Sequence, residues 1–379
     1  GNFEDDIDKV NEVDWIIEVV VEKLDIKKSV FDLVEKHRKT GTIITSNTSG
    51  IPIKLMNEGR SDDFKECFAI THFFNPPRYL NLFEVVPGPD CKKEILDFLL
   101  DYGEKFLGKT SVLAKDTPAF IGNRIGIFGI MSLFHQIKSG EYSVEEVDKL
   151  TGPAIGRPKS ATFRTADIAG LDTMCHVANG VYEKCKDDES REVFKLPDFL
   201  QKMLDNNMLG SKTGKGFYKK IKDDNGKSKI LALDLNTFKY NEQKKVSYET
   251  LKNARKCKKR DEKFKTLISG NDKASKFYEE NFARMFGYIQ NRIPEISNDI
   301  TSIDAALKTG FGWKDGPFEI WNYIGVKEGV ELMKKFDLKP AEWINEMIKK
   351  NTNNFYRIND GYREYYDINS NSFNKIAGQ

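Results

Sequence analysis

The chain has 379 residues, 39% of them hydrophobic, which is enough for two or three packed domains. Its 60 Lys and Arg nearly balance its 58 Asp and Glu, so no overall field favours nucleic acid; its five cysteines form no C-x-x-C pair of the kind that binds zinc or frames disulfides. No apolar run approaches the ~18 residues of a membrane span, and the acidic opening GNFEDDIDKV is no signal peptide, so the sequence reads as a soluble cytoplasmic protein with free thiols and no metal site.

The first hundred or so residues alternate strand and helix signals. WIIEVVV (15–21) predicts a buried strand and DIKKSVFDLVEKHRK (25–39) an amphipathic helix. TIITSN (42–47), CFAITHFF (67–74) and LNLFEVV (80–86) predict three further strands. CKKEILDFLLDYGEKFL (91–107) predicts a helix and TSVLAKD (110–116) a last strand. Short β-rich runs between helices imply a largely parallel sheet covered on its faces. After Asp116 the strand signal almost vanishes and helices dominate.

An internal repeat follows. Residues 147–173 resemble residues 303–329, with Asp148 and Gly156 matching Asp304 and Gly312 at the same spacing. Two copies of a helical unit suggest a duplicated domain whose halves pack on each other. The lysine-rich stretches KKIKDDNGKSK and NARKCKKRDEKFK between the copies read as solvated surface. The fold class expected is α/β then all-α: a partial Rossmann-like parallel sheet followed by two repeated helical domains. The G-x-G-x-x-G turn that such a nucleotide fold normally carries is missing, and GSKTGKGFY has the wrong glycine spacing for a phosphate loop.

Chemistry concentrates in ITHFFNPPRYLNLFEVV (70–86), which holds one of only four histidines. An imidazole is the natural base for taking a proton from an alcohol near neutral pH, and a carboxylate that fixes its tautomer improves it. His72 and Glu84 fall on neighbouring strands if Pro76 and Pro77 turn the chain back. Spacing alone leans to a structural histidine at a strand end. SNTSG (46–50) follows a strand where α/β sheets bind ligands, and Asn123 opens the helical region; either could simply cap a helix.

In order, the motifs WIIEVVVEKLDIKK, SNTSGI, HFFNPPRYLNLFEVV, KDTPAFIGNRI, GLDT and KTGKGFY resemble the 3-hydroxyacyl-CoA dehydrogenase family of fatty-acid β-oxidation. The later repeat, with GFGWKDGPFEIW, is similar to the long forms of that family, in which the helical domain is doubled. The resemblance implies reversible NAD-dependent oxidation of (3S)-3-hydroxyacyl-CoA to 3-ketoacyl-CoA. It makes His72 the catalytic base and Glu84 its partner. Ser49, Asn75 and Asn123 would bind the acyl-CoA substrate, and Glu22, Lys27, Ser49, Asn75 and Lys212 the cofactor. It further implies a fused or associated enoyl-CoA hydratase and thiolase. The domains expected are an NAD-binding unit at 1–116, a helical C-terminal domain at 117–222, a Lys-rich linker at 223–270, and a second helical repeat with a tail at 271–379. Because the chain opens on what looks like the segment before the family's fourth strand, the NAD-binding unit is expected to be N-terminally truncated, with no site for the cofactor's adenosine half. A non-catalytic acyl-CoA-binding or assembly fragment is the other reading.

Overall fold

Five short runs rich in β-branched and aromatic residues form the sheet that organises the first part of the chain. They are β1 (Trp15–Glu18), β2 (Ile43–Ser46), β3 (Phe68–Phe73), β4 (Leu82–Pro87) and β5 (Thr110–Leu113), and they lie side by side in chain order. The structure, a computed structural model, describes residues 5–137, 140–223 and 225–376. The pairs β1–β2, β2–β3 and β4–β5 are parallel, while β3–β4 is antiparallel. The segment between β3 and β4 is too short for a crossover, so the chain has to return alongside itself.

β1 is shorter than its apolar run. The Val20 N–H is taken at 2.6 Å by the Glu18 carboxylate, so the chain leaves the ladder and Val19 and Val21 stand exposed. Helix α1 (Leu24–His37) buries Lys27, Phe31 and Val34, a four-then-three spacing that puts all three on one face. Short helices α2 (Ile53–Met56) and α3 (Asp62–Glu66) separate β2 from β3. Helix α4 (Lys93–Lys105) lays Ile95 and Leu99 on Phe83, Val85 and Ala69 of the sheet. Gly103 brings its backbone close, since a Cβ there would sit 2.6 Å from Phe83.

Two units divide the chain. The first comprises Gly1–Gly122 together with Ile293–Gly310, the second Asn123–Arg292 with Phe311–Gln379. Residues 293–310, expected with the second helical repeat, therefore belong with the sheet. The Lys115 N–H donates to Ile296 O at 3.2 Å, and Asn81 N–H to Thr309 O at 3.1 Å.

In the second unit, α5 (Gly122–Ile137, starting at the junction), α6 (Val144–Thr151), α7 (Phe163–Ala169), α8 (Leu171–Lys184) and α9 (Asp198–Asp205) make the first copy. The stretch expected as a linker is folded. It contains an antiparallel sheet of β6 (Tyr218–Lys222), β7 (Ser228–Leu233) and β8 (Tyr240–Glu242), then α10 (Glu249–Lys256) and α11 (Arg260–Ile268). Most of its lysines are exposed and Lys263 is half-buried, while Leu251, Ala254, Phe264 and Leu267 are buried.

The second copy runs through α12 (Lys273–Gln290), α13 (Ile300–Gly310, in the first unit), α14 (Pro317–Ile324) and α15 (Val326–Lys334). Its turns repeat those of the first: Gly156 and Gly312 have φ of 74° and 66°, and Gly170 and Gly325 have 94° and 109°. These left-handed values explain the glycines shared by both copies. Within the second unit the copies meet directly. Lys314 N–H donates to Gly156 O at 2.8 Å, the Arg157 guanidinium lies 3.9 Å over Trp313, and Phe128 stacks on Tyr288 at 3.7 Å. After α16 (Glu342–Lys349), the segment expected as a tail forms a meander of β9 (Tyr356–Asn359), β10 (Tyr362–Asp367) and β11 (Ser372–Lys375).

Candidate active site

The antiparallel register sets His72 directly opposite Glu84. Opposed residues project from the same face of a sheet with their Cβ atoms about 5 Å apart. The His72 Nδ1 lies 2.6 Å from Glu84 Oε2, and both residues are buried, Glu84 completely. The other carboxylate oxygen, Oε1, accepts the backbone N–H groups of Ile121 at 3.0 Å and Gly122 at 2.8 Å. Those are donors at the start of α5, which no residue within the helix can satisfy, and the positive end of the helix dipole favours an anion there.

Glu84 is thereby fixed at both oxygens as an acceptor. Nδ1 of His72 must then carry the proton, which leaves the Nε2 lone pair basic. Among the described residues Nε2 has no hydrogen-bond partner, and the ring is flanked edge-on by Phe74 at 5.2 Å and Phe120 at 5.4 Å. Phe74 in turn packs where two glycines come close. A Cβ on Gly122 would lie 2.6 Å from its ring, and one on Gly310 would lie 3.2 Å away. The second copy thus supplies part of the wall behind the histidine, through α13.

Strands β1, β2 and β3 are parallel, so the segments that follow them share one edge of the sheet. Glu18, at the end of β1, is buried. Its carboxylate receives the Lys27 ammonium at 2.9 Å on each oxygen and the Ser46 hydroxyl at 2.5 Å. Glu22 accepts the Ser49 N–H at 3.1 Å and the Thr48 hydroxyl, and lies 3.3 Å from Lys27. Glu22 and Lys27 therefore meet Ser49 in one network that shapes the loop after β2. Lys27 is 1% exposed and committed to these two carboxylates. Asn75 is exposed just beyond β3.

Asn123 and Lys212 are residues of the second unit. Asn123 follows Gly122 directly at the start of α5 and is half-buried. Lys212 is ion-paired with Asp172 near the start of α8. The glycines of GSKTGKGFY serve close packing there: Asp167 accepts the N–H groups of Phe217 and Tyr218 at 2.8 Å, and a Cβ on Gly210 would sit 2.2 Å from the Asp167 carbonyl oxygen.

Three contributors were not singled out from sequence. Asn47 accepts the Phe73 N–H at 2.9 Å, which stitches the loop after β2 to the residue beside His72. Glu18 interrupts an apolar strand, and that was its visible signal. Asp116 accepts the Ile53 N–H at 2.9 Å, and burial holds its carboxyl above the usual carboxylate range. Among the described residues no cluster suits a metal ion, and no helix is long and apolar enough to cross a membrane.

Comparison with known proteins bears on this geometry. Residues 1–117 match the family described as 3-hydroxyacyl-CoA dehydrogenase, NAD binding domain, and residues 120–220 match the C-terminal domain of the same family. A "Probable 3-hydroxyacyl-CoA dehydrogenase" of Bacillus subtilis is 48% identical over 97% of this chain and 46% of its own length, so the chain spans about half of that relative. The crystal structure of 3-hydroxybutyryl-CoA dehydrogenase from Escherichia coli shares the fold, with a TM-score of 0.70 and 18% identity over 91% of this chain and 83% of that one. A "Probable 3-hydroxyacyl-CoA dehydrogenase" of Caenorhabditis elegans is 33% identical over 55% of this chain and 68% of its own length. With its histidine and glutamate on adjacent strands and both domains matched in order, the chain belongs to the 3-hydroxyacyl-CoA dehydrogenase family.

Proposed function

We propose that this chain carries out NAD-dependent oxidation of a (3S)-3-hydroxyacyl-CoA to the 3-ketoacyl-CoA, and the reverse, as a step of fatty-acid β-oxidation. The observation that carries the reading is the His72–Glu84 pair, whose hydrogen bonds leave Nε2 as the one basic position on the ring. His72 Nε2 takes the hydroxyl proton as the bond from C3 to its hydrogen breaks. Glu84 balances the imidazolium that forms, without taking the proton itself.

The edge beyond β1, β2 and β3 suits a nicotinamide ring: exposed Val19 and Val21 offer an apolar face, and Ser49 and Asn75 offer a hydroxyl and an amide. When bound, the nicotinamide supplies the hydride acceptor. Glu22 and Lys27 serve that side by holding the Ser49 loop in shape. The reading assigns Ser49 and Asn123 to orienting the thioester and Lys212 to the cofactor, contributions of positioning. Hydratase and thiolase partners would supply the hydroxyacyl substrate and consume the ketoacyl product. Five free cysteines suit a reducing cytoplasm.

The test is His72→Gln in the full-length protein, followed by NADH oxidation with acetoacetyl-CoA. The expected result is a fall in kcat of ~100-fold or more, the scale of general acid–base catalysis, with NADH binding retained. A near-normal kcat would make His72 structural.

A further inference from the structure

Away from the dyad, the second unit holds an open basin of about 770 Å³, walled by α6, α7, β6, the segment after β8, α10 and α11. Lys149, Lys159 and Arg164 reach it from the first helical copy. Lys244, Lys245, Arg255 and Lys263 reach it from the lysine-rich stretch that sequence alone reads as solvated surface. Among the described residues, none of these seven cations forms an ion pair.

The lining has only two carboxylates, and both already accept hydrogen bonds. Glu145 accepts the Lys244 backbone N–H at 3.3 Å. Asp148 accepts the N–H groups of Thr162, Phe163 and Arg164 and the Tyr218 hydroxyl, all within 3.2 Å. Unpaired like charges gathered around a concavity raise its free energy when it is empty, and walls of low dielectric focus their field into it. Burial, and then the neighbouring Arg260, hold the half-buried Lys263 ammonium below its ordinary pKa. Val246, Leu251 and Ala254 add an apolar strip to the same lining.

The geometry points to a binding site for a nucleotide-sized polyanion carrying two or more phosphate groups. The phosphates are met by the lysines and arginines, and the less polar part lies on Val246, Leu251 and Ala254. The volume falls within the range of small-molecule pockets, and lysines act as point-charge phosphate binders. A nucleoside diphosphate carries this chemistry, and so does the phosphorylated adenosine end of coenzyme A. The inference is independent of the dehydrogenase reading, because no residue of the basin belongs to the dyad or its loop.

Calorimetric titration of the purified chain with inorganic pyrophosphate, ADP and coenzyme A tests it. All three should bind, and more weakly as salt is raised. The charge-reversed variant Lys149→Glu/Arg255→Glu should weaken each by ~tenfold or more, with Lys149→Gln/Arg255→Gln in between, while His72→Gln leaves ADP and pyrophosphate binding unchanged. Equal affinity for ADP and coenzyme A would identify the nucleotide end as the part held; tighter coenzyme A would place its thiol-bearing arm on the apolar strip. Both substituted side chains are exposed and sit among like charges, so reversing them should leave the thermal midpoint unchanged or raised. Binding that survives charge reversal, or no binding by any of the three, overturns the proposal.

Discussion

Each unit contains a buried cluster of hydrogen-bonded charged or ionisable groups, and the two clusters differ in what they leave open. In the first, Glu84 holds His72 and two backbone N–H groups, and one ring nitrogen remains with a lone pair and no partner. In the second, Asp188 Oδ2 accepts Arg124 at 2.6 Å, Arg292 at 2.9 Å and the Tyr288 hydroxyl at 3.0 Å, while Arg292 also reaches Glu189 at 2.5 Å. Arg124 and Asp188 have fully buried side chains. That cluster ties the first helical copy to the second and offers a substrate nothing. Burial and charge do not distinguish the two clusters; the unspent lone pair does.

Removing Asp188 should give the largest effect. Asp188→Ala removes the one carboxylate that both guanidinium groups share, and breaking a buried pair in this way costs ~3–5 kcal/mol. Chemical denaturation should show that loss, while kcat per folded molecule stays near wild type. A loss below ~1 kcal/mol would mean that water reaches the site and screens it.

Glu84→Gln sharpens the contrast from the other side. Ile121 and Gly122 both donate to Oε1, so a glutamine would keep its carbonyl there and turn its amide NH2 toward His72. Nδ1 would then become the acceptor, the proton would move to Nε2, and the base would be lost through the wrong tautomer. The fall in kcat should match that of His72→Gln, ~100-fold or more, with little change in stability. A mild effect on kcat would show that the two side chains act separately.

The dyad itself was legible because two prolines between β-branched runs force a return of the chain, and the twelve-residue spacing does the rest. What Glu84 does with its second oxygen was not, since the partners lie 37 and 38 residues away along the chain. Nor could sequence place α13: its apolar spacing marks a helix, but only a packed structure shows that Gly310 must back onto Phe74 and Leu82. The two meanders escaped for a compositional reason. YKKIK and YREYYD carry lysine, arginine and acidic residues at inward as well as outward positions, with Glu364 buried, which dilutes the alternation that announces a strand.

Gly310→Ala probes the indirect route to the dyad. The added Cβ would lie 2.8 Å from Leu82 Cδ2 and 3.2 Å from Phe74, so the wall behind His72 has to shift. Overpacking of this kind costs ~1–3 kcal/mol. Because Phe74 touches the imidazole, kcat should fall a few-fold while KM changes little; a stability loss without any change in kcat would uncouple α13 from the site.

The smallest effect is a dependence on pH in the second unit. Burial pushes Asp148 and Asp167 up to about 6, against the pull of the backbone N–H groups that each accepts. In the unfolded chain both return to about 3.9. The folded state therefore binds more protons between those values. Its extra stability is complete below the unfolded pKa, falls as pH rises, and is gone above about 6. Glu146 and Asp272 are shifted the other way, and their contribution is lost only on going below the normal carboxylate pKa. The second unit should accordingly gain about 1 kcal/mol on acidification from neutrality into that window, after allowance for solvent screening. Urea midpoints measured across the window would show the slope, and Asp167→Asn should flatten it whatever it does to the absolute midpoint. A midpoint that falls steadily from neutrality downward would mean that the two carboxyls stay ionised in the fold, held by their N–H donors more strongly than burial opposes them.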